Sequence, residues 1–136
     1  MNKEYLIPIY TETGIYELFS FKYGSNREPY NLNLEILIEN VDRNNIITIL
    51  FEDEVISYRL NNGLNMYYEY SHLNKIPLLS EVKNSRYLEW IWNAGLKQIM
   101  RSEDIECLKH YIIADDNYYI EVISKKTPSV IINKMT

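Results

Sequence analysis

The sequence predicts a mainly β protein of the α+β class, in which an antiparallel sheet or sandwich of about six or seven strands packs against one α-helix near residues 85–94. Composition is the first reason, because the 136 residues include 19 Ile and 13 Tyr but only 2 Ala, and this balance favours strands over helices. The second reason is that apolar and polar residues alternate in several segments, without the strand–helix succession of a parallel sheet. The length suits a single domain, residues 1–136.

Four strands are predicted in the first half of the chain. Residues 15–23 have an alternating pattern and are flanked by Gly14 and Gly24. Residues 46–51 and 55–60 lie on either side of an acidic turn. Residues 32–39 alternate most clearly, as in a sheet with one solvated face. Leu32, Leu34, Ile36 and Ile38 are expected on one face, and Asn33, Glu35, Leu37 and Glu39 on the other.

The second half of the chain carries the predicted helix. The sequence predicts irregular structure over residues 64–83, because polar residues and Pro77 interrupt any regular spacing of apolar residues. A helix follows over Ser85–Ala94, with Asn84 or Ser85 expected to cap its start and Gly95 to close its end. Its apolar stripe consists of Leu88, Ile91, Trp92 and Gly95.

A hairpin is predicted after the helix. Residues 108–114 and 118–124 are its strands, and Asp115–Asn117 form a three-residue loop between them. Pro128 ends the second strand, and Val130–Ile132 form a short further strand.

Charge and cysteine content exclude several classes of protein. The net charge of −5 and pI of about 5.1 argue against binding to a nucleic-acid phosphate backbone. A single Cys107 excludes an internal disulfide framework and a multi-cysteine zinc site. No run of 18 apolar residues and no signal peptide is visible, so we expect a cytoplasmic protein that does not contact membranes.

Catalytic and metal-binding motifs are weak. Cys107 and His110 have the spacing of a metal-ligand pair, but such a site needs two further ligands. In a strand, the two side chains would point to opposite faces, which also disfavours a nucleophile–base pair. The sequence has neither a Gly-rich phosphate loop nor a nucleophile elbow. We therefore expect a non-enzymatic protein with no cofactor and no metal.

A partner-binding surface is the stronger functional signal. Tyr side chains offer large contact areas with a polar tip, and acidic side chains attract a basic partner such as a nuclease. The competing interpretation is that the Tyr rings enclose a small core and the acids only aid solubility. The predicted contact residues are Glu52, Asp53, Glu54, Tyr67, Tyr68, Glu69 and Tyr70.

Arg59 lies in an otherwise apolar predicted strand. If it is partly buried, it needs a carboxylate, which Glu69, Glu89 or Glu121 could provide. A structural ion pair is the favoured interpretation. The alternative is a small enzyme or ligand-binding barrel with Arg59, His110 and Glu121 in a pocket.

Three stretches in the C-terminal half resemble a family of small uncharacterised bacterial proteins. They are Ser85–Trp90, His110–Ile113 and Ile120–Ser124 before Pro128, and they are similar to the ending S-x-Y-L-x-W, H-Y-x-I, I-x-V-L-S, P, with Ile123 where that ending has Leu. The Tyr-Arg element in Ser57–Arg59 is also similar. Such proteins often occur beside secreted-toxin cassettes, so the resemblance implies an immunity role. The charged residues between Asn93 and Cys107 depart from the family pattern.

These observations predict a protein that binds and occludes another protein, either as a toxin immunity protein or as an inhibitor. The alternative is an inhibitor of a host defence system encoded by a phage or mobile element, which would use the same kind of surface against a different target. The resemblance transfers no site residue, because the shared positions are those expected to pack in the core.

Overall fold

The computed structural model describes residues 3–11, 16–25, 32–52, 55–62, 77–115 and 118–134. Within these ranges the chain forms nine strands, numbered β1–β9 in chain order, in two antiparallel sheets, together with one helical segment. The predicted mainly β, antiparallel class is therefore confirmed. None of the helices in this part of the chain is both long and apolar enough to cross a membrane.

The larger sheet has five strands in the order β1-β6-β7-β8-β5. Its hairpin β7–β8 is the one expected from the sequence, with Ala114 opposite Tyr119. Asp116 and Asn117 of the predicted loop lie outside the described residues. The strand bounds are β1 Tyr5–Tyr10, β5 Val55–Asn62, β6 Leu79–Lys83, β7 Lys109–Ala114 and β8 Tyr118–Ser124.

The smaller sheet has four strands in the order β2-β3-β4-β9. A polar turn joins β3 to β4, and Asn44 takes a positive φ of 55° there, a conformation that Asn tolerates. The strand bounds are β2 Tyr16–Ser25, β3 Leu32–Asn40, β4 Asn45–Phe51 and β9 Ser129–Lys134.

The main core lies between the two sheets. The alternation predicted for β3 is confirmed, because Leu34, Ile36 and Ile38 are at most 1% exposed. Each such side chain contributes roughly 1.5–3 kcal/mol when it leaves water. The same cluster includes Ile47, Ile49 and Phe51 of β4, Leu79 of β6, Tyr111 and Ile113 of β7, and Ile120 and Val122 of β8.

The helical segment packs on the other face of the five-stranded sheet. An α-helix, α1, spans Arg86–Ile91, and the helix continues through a π-helical turn over Trp92–Leu96 and a last turn over Lys97–Ile99. Ser85 caps α1 as predicted, but Gly95 does not end the helix. Backbone dihedrals at Gly95 are non-helical, and the chain kinks there and continues. The molecule therefore has three layers: helix, five-stranded sheet and four-stranded sheet.

Two strands were not expected from the sequence. The prediction of irregular structure over residues 64–83 is wrong for β6, which pairs with both β1 and β7. Residues 63–76 lie outside the described residues. No strand was predicted over β1 either, because Pro8 interrupts it. Pro8 is tolerated because β1 has a neighbour on one side only.

The alternation predicted over residues 15–23 is also interrupted. The register between β2 and β3 shifts between Leu18 and Ser20, so Leu18 pairs with Ile38 and Phe21 pairs with Ile36. A β-bulge of this kind adds one residue to a strand and reverses the order of faces beyond it. The regular alternation predicted over residues 15–23 therefore does not continue through the whole of β2.

Candidate functional site

A polar cluster lies on the helix-facing side of the five-stranded sheet, with Glu121 at its centre. Glu121 is only 4% exposed although it sits between apolar residues of β8. Strand pairing places Arg59 of β5 directly opposite it. Oε2 of Glu121 accepts hydrogen bonds from Nε of Arg59 and, at 2.8 Å, from Nδ2 of Asn61.

His110 reaches the same carboxylate from β7. Its Nε2 lies 3.1 Å from Oε1 of Glu121, within ion-pair distance. Its Nδ1 lies 2.7 Å from Oγ of Ser85.

The environment of Glu121 keeps its carboxylate charged. Burial alone would raise the pKa of Glu121, but the contacts with His110 and Arg59 outweigh it and hold the pKa below its ordinary value. Arg59 is 46% exposed at its side chain, so solvent weakens its part of this ion pair. The cluster therefore combines a buried acid with a half-exposed base.

Tyr87 joins α1 to this cluster. The guanidinium carbon of Arg59 lies 3.9 Å from the centre of the Tyr87 ring, a cation–π contact. The Tyr87 hydroxyl lies 2.6 Å from Oγ of Ser57, and its ring meets the His110 ring edge-on at 5.3 Å. Burial raises the pKa of this hydroxyl. Through these contacts the cluster connects the start of α1 to β5, β7 and β8.

These contacts decide between the three carboxylates considered for Arg59. Glu121 is the partner, Glu89 is exposed on the helix, and Glu69 lies outside the described residues. The three pocket residues of the alternative interpretation, Arg59, His110 and Glu121, do come together. Each of them already contacts other groups of the chain, which is the arrangement of a structural ion pair.

The sequence identified the charged members of the cluster but not their polar neighbours. Ser57, Asn61 and Tyr87 were missed as site residues, and Ser85 was expected only as a helix cap. A lone acid inside an apolar strand, as in Tyr119–Ile123, is the signal that points to such a cluster. Short polar residues on neighbouring strands give no comparable signal.

The Cys107–His110 pair does not form a site. Cys107 is exposed at the end of a 3₁₀-helix over Ser102–Cys107, whereas His110 is buried in β7. The hydrogen-bond partner of His110 is Ser85, which is 25 residues away in the sequence. No group of three or more His, Cys, Asp or Glu side chains able to hold a metal occurs among the residues that the structure describes.

Of the predicted contact residues, the structure describes Glu52. It is exposed directly after β4. The others, Asp53, Glu54, Tyr67, Tyr68, Glu69 and Tyr70, lie outside the described residues.

A second surface feature is the outer face of the four-stranded sheet, which points away from the core. Its side chains on β3 and β4 are half-buried, and they include the apolar Leu37, Ile46 and Leu50 next to the polar Thr48. Leu37 of β3 lies in register with Thr48 of β4, and Thr48 lies in register with Ile131 of β9, which is 46% exposed. We use the name outer face for the part of this surface that lies on β3 and β4, which consists of Glu35, Leu37, Glu39, Ile46, Thr48 and Leu50.

Comparison of the chain with protein-family models, with curated proteins and with solved structures gave no match.

Proposed function

We propose that this protein is a non-catalytic binding protein that occludes a basic partner protein. The outer face carries this proposal, because it places apolar side chains on β4 directly beside the carboxylates of Glu35 and Glu39 on β3. Leu37, Ile46 and Leu50 would supply the contact area, and Glu35 and Glu39 would face basic side chains of the partner.

Charge supports the choice of a basic partner. The chain carries a net charge of −5, and Glu52 is exposed at the end of β4, one strand away from Glu35 and Glu39. Carboxylates in one region of a surface raise the association rate of a positively charged protein. The proposed contact surface therefore combines the outer face with Glu52. The other contact residues expected from the sequence, Asp53, Glu54, Tyr67, Tyr68, Glu69 and Tyr70, remain part of the proposal as predictions.

The class of partner that we propose is a toxin, so that the protein acts as an immunity protein or inhibitor. The resemblance of Ser85–Trp90 and the two later stretches to small proteins beside toxin cassettes supports this assignment. Inhibition of a host defence system by a phage or mobile element would use the same surface. Neighbouring genes distinguish the two roles, because an immunity gene lies beside the gene of its toxin.

A second candidate function is small-ligand binding, with or without catalysis, at the polar cluster. The convergence of Arg59, His110 and Glu121 favours it. The internal contacts of these groups weigh against it, because a ligand would have to displace Glu121 from Arg59 or Asn61. A thermal-shift screen of small carboxylates and phosphates tests this candidate, with Arg59→Ala as the variant that should lose any shift.

The main proposal is tested by affinity purification from the native host. The bait is the tagged chain, compared with the double variant Glu35→Lys, Glu39→Lys and with the matched control Glu89→Lys. Glu89 is an exposed acid on α1, on the far side of the five-stranded sheet. The retained protein is identified by mass, purified, and titrated against all three chains at low and high salt.

We expect a basic protein that binds the wild type and Glu89→Lys with equal affinity and the double variant at least about tenfold more weakly, since two repulsive contacts replace two attractive ones. Added salt should weaken the complex. Equal binding by all three chains at low salt, or a partner of acidic character, would overturn the proposal.

A further inference from the structure

β9 differs from the other edge strands in the described part of the chain. β1, β2 and β5 are the other edges, and each has a register shift against its inner neighbour, at Pro8/Tyr10, Leu18/Ser20 and Val55/Ser57 respectively. β-bulges and prolines of this kind prevent edges from pairing with other chains. The six residue pairs between β9 and β4 are regular, and β9 contains no proline.

The open side of β9 is also accessible. Every residue of β9 except Val130 is exposed, and Ile131 and Ile132 are each 46% exposed. Ile132 lies in register with the core residue Ile47, so its exposure reflects a missing neighbour beside the strand. About half of the N–H and C=O groups of an antiparallel edge strand point to its open side. β9 therefore offers both backbone groups and apolar side chains to another strand.

We propose that β9 pairs with β9 of a second copy of this chain, antiparallel and centred on Ile131. In this register Ile131 faces its own copy on the outer side of the joined sheet. Val130 lies opposite Ile132 of the partner on the core side, and Ser129 lies opposite Asn133 of the partner. Centring on Ile132 would instead set Val130 against the charged Lys134, which is why the first register is favoured.

The positive charge around β9 distinguishes this edge from the acidic surface proposed to bind a basic partner. Residues 125–134 include Lys125, Lys126 and Lys134 but no acidic residue. A basic protein is therefore repelled from β9. A second copy carries the same lysines, but in the proposed register its Lys134 lies opposite Pro128, so no lysine faces another lysine while the apolar side chains match. Two paired six-residue strands form a smaller interface than the roughly 1,600 Å² of a standard one, so we expect a weak, reversible dimer.

Sedimentation of the full chain across a wide concentration range tests the proposal. We expect a reversible monomer–dimer equilibrium for the wild type. Ile131→Lys should remain a monomer, because the substitution brings two like charges face to face across the two-fold axis. Ile99→Lys is the matched control, since Ile99 is an 82% exposed isoleucine on the helical segment, and it should dimerise as the wild type does.

Cross-linking tests the register without relying on a charge substitution. In a Cys107→Ser background, Ile131→Cys should form a disulfide dimer under mild oxidation, because opposite residues of antiparallel strands have Cβ atoms close enough for a disulfide. Ile99→Cys in the same background should not. Added salt should strengthen this dimer by screening the lysines, whereas it weakens the acidic–basic complex proposed above.

Three results would overturn the proposal. They are a wild type that stays monomeric at every concentration, an Ile131→Lys variant that dimerises as well as the wild type, and an Ile131→Cys chain that cross-links no faster than Ile99→Cys. None of these results affects the binding of a basic partner through Glu35 and Glu39.

Discussion

Glu121 lies directly opposite Arg59 on the neighbouring antiparallel strand, and this register places a carboxylate that is 4% exposed beneath a half-exposed guanidinium. His110 reaches the other carboxylate oxygen from the opposite side. An unpaired carboxylate would be costly at this depth, so the two bases make its burial possible. The contact of Arg59 with Tyr87 extends the arrangement to the helix.

Replacement of Glu121 by Gln should destabilise the fold by about 2–3 kcal/mol. Gln keeps the shape of the side chain but leaves Arg59 without its counter-charge and changes the group that faces His110. Urea denaturation measures the free energy of unfolding. Glu89→Gln is the control and should change it by no more than about 0.5 kcal/mol, because Glu89 is exposed. Equal losses for the two variants would contradict a structural role for the cluster.

Acid should remove the contribution of Glu121. Its folded pKa is below the ordinary glutamate value of 4.5, so the folded protein binds its proton less readily than the unfolded chain. The stabilisation is therefore complete above about pH 4.5 and is lost as the pH falls through the folded pKa. The difference in unfolding free energy between wild type and Glu121→Gln should shrink from pH 6 toward pH 3, since protonation makes the two side chains alike. A constant difference would show that the charge of Glu121 is not what matters.

Ser85→Ala should cost about 2 kcal/mol, more than the loss of an ordinary helix cap. Ser85 Oγ accepts a hydrogen bond from the backbone N–H of Leu88 and also contacts His110. Each lost contact costs roughly 1 kcal/mol. Thermal unfolding followed by circular dichroism measures the effect. Ser85→Thr keeps a hydroxyl in place and should restore most of the stability. If Thr is no better than Ala, the hydroxyl contacts do not stabilise the protein.

The two faces of β3 should respond differently to truncation. Ile36 is fully buried in the main core, and Ile36→Ala should cost about 3–4 kcal/mol through lost burial and the cavity that remains. Leu37 is the half-buried neighbour on the outer face, and Leu37→Ala should cost about 1 kcal/mol or less. Chemical denaturation of both variants provides the comparison. A reversed order would mean that the sheet presents its faces the other way round.

The sequence predicted those strands and turns that are marked by a clear local pattern of apolar and polar residues. The alternation at Leu34, Ile36 and Ile38 identified a buried face, and the turn residues between β7 and β8 identified a hairpin. β6 was missed because five residues are too few to show a clear alternation of apolar and polar side chains. Its place between β1 and β7 depends on partners that are distant in the sequence.

The polar cluster shows the same limit. Arg59 in an otherwise apolar strand indicated that a carboxylate must lie nearby, and Glu121 was one of three candidates. Which of three carboxylates met Arg59 depended on the register between β5 and β8, which single-strand patterns do not encode. The parts played by Ser57 and Tyr87 follow from where α1 docks, and that is a tertiary property.

The order β1-β6-β7-β8-β5 has a consequence for synthesis on the ribosome. Tyr5 pairs with Lys83, and Asn45 pairs with Lys134, so one strand of each sheet must wait for a segment made much later. Until then β4 has an unpaired side and β1 has no partner at all. We expect slow completion of both sheets, during which the nascent chain exposes strand edges that chaperones recognise.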